Sequence, residues 1–176
     1  YYYLEPDLPS IDNLKSTKYQ VPLRVYTKDN KLMAEFGEMR RIPLNYDDVP
    51  EQMIQAFLAA EDDRFFEHPG VDYTGLLRAA YQLLLTGERR QGGSTITMQV
   101  ARNFYLSREK TFTRKFNEIF LSLKIENELT KQEILELYLN KIYMGNRAYG
   151  VGAAAMVYYG KTPDQLTLPQ TAMIAG

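Results

Sequence analysis

Glu61-Asp62-Asp63-Arg64-Phe65-Phe66-Glu67-His68-Pro69-Gly70 closes a segment, Pro50 to Phe66, whose apolar residues recur at helical spacing. Ile54, Phe57, Leu58 and Phe65 fall on one stripe at intervals of three, four and seven. Pro50 and the acidic Glu51 are helix-start signals. Glu61 follows Phe57 by four residues and precedes Phe65 by four, so the pattern puts a carboxylate in the middle of an apolar face. A carboxylate in that position needs a partner, a cleft or a shifted pKa, and such groups concentrate where proteins move protons. His68 is the only histidine, and Pro69-Gly70 ends the helix near it. A lone histidine reads first as a structural hydrogen bonder, and no serine is placed to form a triad with it.

Working outward, everything after Pro50 reads as helical. Thr74 to Leu85 is an apolar helix, broken by Gly87-Glu88-Arg89-Arg90-Gln91-Gly92-Gly93. Helices follow over Thr95 to Phe104 and Thr111 to Glu128. The next is capped by Thr130 with Glu133 as a capping box, and a last one starts near Leu168-Pro169. Before Pro50, Val21, Leu23 and Val25 alternate with other residues, as do Leu32, Ala34 and Phe36. Lys28-Asp29-Asn30-Lys31 between them is a turn signal, so this stretch is a hairpin. The expected class is mainly α with a small N-terminal β-hairpin. Its expected divisions are a linker over 1–20, the hairpin segment over 21–44 and a helical domain over 45–176.

Composition narrows the function. The 176 residues suffice for one domain with a core. The net charge of -1 offers no electrostatic ground for nucleic acid as a partner. With no cysteine and one histidine, disulfides and a structural zinc site are excluded or disfavoured. No run of 18 apolar residues exists, so no spanning helix is expected in this stretch. Tyr1-Tyr2-Tyr3-Leu4 suits a membrane–water interface, and both ends are expected to be cuts through a longer protein.

Glu118 is the second carboxylate of interest. Its helix has an apolar stripe of Phe112, Phe116, Ile119, Phe120 and Leu123, and Glu118 lies off it. Arg114 and Lys115, four and three residues earlier, are within side-chain reach. Spacing leaves two readings open: a solvated face with intrahelical ion pairs, or a carboxylate among cations that bind an anion. Arg102, Arg108, Lys110, Arg114 and Lys115 fall within fourteen positions, a cluster able to hold phosphate or to lie on a surface. Gly92-Gly93-Ser94-Thr95 precedes a helix whose N-cap is Ser94 or Thr95, and it lacks Walker spacing. Ser107-Arg108-Glu109-Lys110 matches S-x-x-K, but there is no S-D-N element and Lys161-Thr162-Pro163 spoils K-T-G. Acyl transfer is therefore rejected.

Together these segments resemble the five motifs of the family 51 peptidoglycan glycosyltransferases. Glu61 to Gly70 is similar to E-D-x-x-F-x-x-H-x-G. Gly92 to Gln99 is similar to G-x-S-T-I-T-Q-Q, with Met98 where the family usually has glutamine. Arg114-Lys115-Phe116-Asn117-Glu118 is similar to R-K-x-x-E. Lys131 to Asn140 resembles the fourth motif, and Arg147 to Ala155 followed by Tyr158-Tyr159-Gly160 resembles the fifth. The hairpin and Arg40-Arg41-Ile42-Pro43-Leu44 look most like the class A, 1A type of Gram-negative bacteria.

The resemblance implies a lysozyme-like helical fold with a head and a membrane-associated jaw, the jaw over about 74–93. It implies lipid II as substrate, polymerised to β-1,4 glycan with inversion and release of undecaprenyl pyrophosphate. Glu61 would be the general base on the acceptor's 4-hydroxyl, its pKa raised by its apolar position. Glu118 would assist the leaving pyrophosphate, directly or through a divalent cation, magnesium or manganese. Lys115, Lys110, Arg102 and Arg114 would contact phosphate. Ser94 and Gln99 would line the donor site, Asp62 would support it, and Met98 would tune it. Leu76, Leu77, Leu83, Leu84 and Leu85 would meet the lipid surface, with Arg89 and Arg90 on lipid phosphates. Localisation would be the periplasmic face of the inner membrane, with an N-terminal membrane anchor and a C-terminal transpeptidase domain in the whole protein. A lysozyme-like hydrolase also uses two carboxylates, but it has no pyrophosphate for the cations to neutralise.

Overall fold

The computed structural model describes residues 14, 19–20, 22–37, 39–87, 93–106 and 112–176. Most of the expected linker, Arg89, Arg90, Gly92, Arg108 and Lys110 lie outside the described residues, as does the side chain of Leu83. The described part is mainly helical. Strand β1 (Leu23–Tyr26) pairs antiparallel with β2 (Leu32–Phe36) in the expected hairpin, with Leu23 opposite Phe36 and Val25 opposite Ala34. Strand β3 (Arg40–Arg41) follows. The helices are α1 (Glu51–Glu61), α2 (Tyr73–Thr86), α3 (Ile96–Tyr105), α4 (Phe112–Glu128), α5 (Lys131–Lys141), α6 (Val151–Tyr159) and α7 (Leu168–Ala175). A short strand, β4 (Ala148–Tyr149), pairs parallel with β3. The expectation of helix throughout after Pro50 fails there, because a two-residue strand has no periodicity to read.

The described residues separate into two compact units: Leu58–Tyr138, and those up to Phe57 with Leu139–Gly176. The second unit holds the hairpin, the β3–β4 pair, α6 and α7. Its core includes Met53, Ile54, Phe57, Leu139, Val151 and Ala153 to Ala155. Asn140 ties the 42–44 segment to α5: its Nδ2 donates to the Leu44 carbonyl at 2.7 Å, and its Oδ1 accepts from the Leu44 amide at 2.9 Å.

The first unit positions the site. Thr95 caps α3, its hydroxyl accepting from the Met98 amide at 3.2 Å. Thr130 and Glu133 form the expected box at the start of α5, with the Thr130 amide donating to Glu133 Oε2 at 2.7 Å. The core gathers Phe65, Ile96, Met98, Val100, Leu121, Ile125 and Ile134.

Two sequence expectations are corrected. Helix α1 stops at Glu61 instead of running to Phe66. The chain turns there because the Asp62 side chain takes partners off the helix, and turn bonds from the Phe65 amide to Asp62 and from the Glu67 amide to Arg64 follow. Helix α4 is also rotated from its expected setting. Its buried face is Glu118, Leu121, Ser122 and Ile125, continued by Leu129 just after the helix, whereas Phe116 is 58% exposed. Apolar spacing alone pointed to the wrong face, because the ion-paired carboxylate goes inside.

Candidate active site

A cleft of roughly 430 Å³ opens in the first unit. Glu61 at the end of α1 and Asp62 and Asp63 after it, Gly75, Leu76 and Arg78 of α2, Ser94 and Thr95 before α3, and Gln99 and Arg102 along α3 line it. Glu61 is exposed to this cleft rather than buried on an apolar face. The burial expected from the stripe is absent, because the helix carrying that stripe ends at Glu61 itself. Its carboxylate is held from the side: Gln99 Nε2 donates to Glu61 Oε2 at 2.8 Å. Arg102 Nη2 reaches Gln99 Oε1 at a long 3.4 Å.

The buried carboxylate of the first motif is instead its neighbour. Asp62 Oδ1 lies 2.9 Å from His68 Nε2, and Asp62 Oδ2 accepts from the Ile96 amide at 3.0 Å. Both side chains are nearly sealed from solvent. One carboxylate therefore fastens the 62–68 turn to the N-terminus of α3, where a helix offers free amides and favours negative charge. This fixes Glu61, one residue before Asp62, against Gln99, four residues beyond the α3 cap. The sole histidine is a structural hydrogen bonder, as its isolation in the sequence suggested.

Lys131, at the head of the fourth motif, completes the support, and sequence reading had given it no part in the site. Its Nζ donates to the His68 carbonyl at 2.7 Å and to Glu126 Oε1 at 2.8 Å, and it lies 4.3 Å from the centre of the Phe65 ring. Glu126 also accepts from Thr97 Oγ1 at 2.5 Å. The position of Lys131 five residues after Glu126 could have suggested that pair, but nothing local pointed to the His68 carbonyl. Buried Tyr138 is a second omission. Its phenol is pushed well above the ordinary range by burial first and by the negative charge of Glu61 second, which keeps a neutral hydroxyl close to Glu61.

Glu118 is 1% exposed, which overturns the solvated-face reading. Its Oε2 accepts from Lys115 Nζ at 2.9 Å, and its Oε1 lies 3.2 Å from Arg114 Nε. Lys115 Nζ also donates to Ser94 Oγ at 2.8 Å. Glu118 is not part of the cleft wall. The expectation that both carboxylates face one cleft is met by Glu61 alone, and Glu118 connects to the cleft through Lys115 and Ser94. Met98 is 1% exposed in the core, so this position offers no side-chain contact to a ligand and the expected tuning has no direct route.

A family model described as transglycosylase matches residues 29–176. The chain belongs to the transglycosylase family. Among its curated relatives, penicillin-binding protein 1A of Pseudomonas aeruginosa is 58% identical over the whole chain, and that of Escherichia coli is 57% identical. The chain spans 21% of the length of each. A crystal structure of penicillin-binding protein 1A from Haemophilus influenzae aligns with 91% of this chain and 14% of that chain, at 32% identity and a TM-score of 0.43. The family match and the curated relatives do not favour the hydrolase alternative. In this chain the first, second and third motifs meet in the first unit: Glu61 with Gln99, Asp62 with the start of α3, and Ser94 with Lys115.

Proposed function

We propose that this domain polymerises lipid II into β-1,4 glycan, as the glycan-polymerising part of a longer penicillin-binding protein. The supporting observation is Glu61 at the cleft, steadied by Gln99, with Arg102 and the Lys115–Ser94 contact beside it. Glu61 takes the proton of the acceptor's 4-hydroxyl. The freed oxygen bonds to the donor's anomeric carbon, the bond to the pyrophosphate oxygen breaks with its electron pair, and the α linkage inverts to β. Arg102, Lys115, Arg114 and Lys110 offset the charge on the departing pyrophosphate. Glu118 works through Arg114 and Lys115 by setting their positions. Ser94 shares Lys115, and Asp62 supports the wall.

The donor set does not fit a resident divalent cation. Among the described residues no three carboxylate or histidine side chains converge to hold one, and Glu118 already meets a cation at each oxygen. A magnesium or manganese ion arriving with the substrate would draw its oxygens chiefly from the pyrophosphate, and no step above depends on it.

Helix α2 supports a membrane-facing role. Leu77, Leu84 and Leu85 are 73%, 86% and 66% exposed, with Tyr73 and Tyr81 on the same outer side. Leu76, by contrast, is turned inward to line the cleft. No helix among the described residues is long and apolar enough to cross a membrane. We place the domain on the periplasmic face of the inner membrane, with an anchor and a transpeptidase domain in the remainder of the protein.

The test is polymerisation of labelled lipid II in detergent. Wild-type protein makes glycan polymer, and Glu61→Gln lowers kcat by about a thousandfold with KM little changed. No polymer from wild type, or undiminished polymer from Glu61→Gln, overturns the proposal.

A further inference from the structure

Arg78 belongs to none of the five motifs, yet it lines the cleft that contains Glu61. Helix α2 is fastened to the site at two points just before it. Asp72 receives Arg64 Nη2 at 2.6 Å, Thr74 Oγ1 at 3.0 Å and the Gly75 amide at 2.9 Å. A side chain at position 75 would run into that carboxylate, since a Cβ there would lie 2.1 Å from Asp72 Oδ2. One residue on, Leu76 packs so closely on the loop before α3 that a Cβ on Gly93 would lie 2.5 Å from its Cδ2. Arg78, three residues after Gly75, lines the cleft with it, while Leu77 and Leu84 are exposed on the outer side.

Three of the four carboxylates around it are already engaged. Of the carboxylates lining the cleft, Asp62 is taken by His68 and the Ile96 amide, Asp72 by Arg64 and Glu61 by Gln99. Asp63 also lines the cleft and is exposed, and Arg78 makes no ion pair with it. Among the described residues Arg78 has no hydrogen bond or ion pair. An exposed guanidinium with no partner among the described residues, on a wall held in place by two close contacts, presents a fork of donors to whatever enters. That fork matches phosphate bidentately.

We propose that Arg78 is a substrate-binding residue that grips a phosphate group of the lipid-linked sugar from the α2 side of the cleft. This rests on the glycosyltransferase reading above. Phosphate could also be offered by membrane lipid headgroups, since Leu77 beside Arg78 is exposed. Its place in the cleft lining favours the substrate. The phosphate already carries charge in the bound substrate, so the loss of this contact is expected chiefly in KM.

The experiment measures lipid II polymerisation in neutral detergent, which contains no lipid phosphate besides the substrate's. A parallel arm measures sedimentation with vesicles containing anionic phospholipid. Arg78→Gln should raise KM about tenfold with kcat within about twofold. Arg78→Lys should recover part of the loss, because it restores the charge without the fork. Vesicle binding should be unchanged, and circular dichroism should match wild type. An unchanged KM in detergent overturns the proposal, as does a defect confined to vesicle binding. Inactive wild-type protein would instead overturn the glycosyltransferase reading itself.

Discussion

The buried carboxylate Glu118 allows a quantitative test of what holds the third motif together. Replacing Lys115 with methionine keeps the length of the side chain and removes the ammonium. Glu118 Oε2 then loses its donor at 2.9 Å while the residue remains 1% exposed, and Arg114 at 3.2 Å is left as its cation. Removing one partner of a buried ion pair costs about 3 to 5 kcal/mol. The remaining arginine, and the 40% exposure of the Lys115 side chain, put the expectation at the low end, about 3 kcal/mol. For a domain of this size that lowers Tm by roughly 6 to 12 °C. The double variant Lys115→Met with Glu118→Gln removes the buried carboxylate left short of a donor, with Arg114 the one charge remaining of the three, so it should recover part of the loss. The coupling energy of the double-mutant cycle should be about 1.5 to 3 kcal/mol. Thermal and urea unfolding of the four proteins measure it. Polymerisation should stay low in the double variant although its stability returns, because the phosphate-binding cation is still missing. A coupling below about 0.5 kcal/mol, the range of an exposed surface pair, would refute the claim that burial of Glu118 organises this motif.

Two other outcomes follow from the same geometry. Burial pushes the Asp72 carboxyl up, but the Gly75 amide, Arg64 and Thr74 together hold it below its ordinary value. Its folded pKa is depressed, so its stabilising contribution is present above the unfolded value of about 3.9 and is lost as pH falls through the folded one. Asp72→Asn should therefore destabilise by about 1 kcal/mol at pH 7, with the difference from wild type shrinking in acid unfolding measurements below about pH 4; a gap that is constant with pH would contradict this. On the outer face of α2, changing Leu77, Leu84 and Leu85 together to glutamate should reduce partition onto phospholipid vesicles at least tenfold. Circular dichroism should be unaltered, since these side chains are exposed, and unchanged partition would remove α2 as the lipid contact.

Much of the fold was legible because it is local. The hairpin, Thr95 as one of two candidate caps of α3, and the Thr130–Glu133 box are decided within a few residues by turn and cap chemistry. The motifs were legible as strings, and they named Glu61, Gln99, Lys115 and Glu118 before any coordinates. What failed was inference from one helical stripe. The Glu61 stripe assumed that α1 continued to Phe65, and the α4 stripe assumed that apolar residues face inward.

The sequence alone determined which residues are present to do chemistry, where the helices lie, and the family to which the chain belongs. Only the tertiary structure decided which carboxylate is buried and which is open. Asp62 finds His68 and the Ile96 amide, six and thirty-four residues away, and Glu118 is buried with a cation of its own helix on each oxygen. A carboxylate can be buried when partners replace the water it loses. The partners of Asp62 come from separate segments, so the periodicity of a single helix does not reveal them; those of Glu118 lie three and four residues before it on its own helix, and what spacing left open was whether the group is buried. Glu61, without such a set, stays at the cleft with Gln99 on one oxygen.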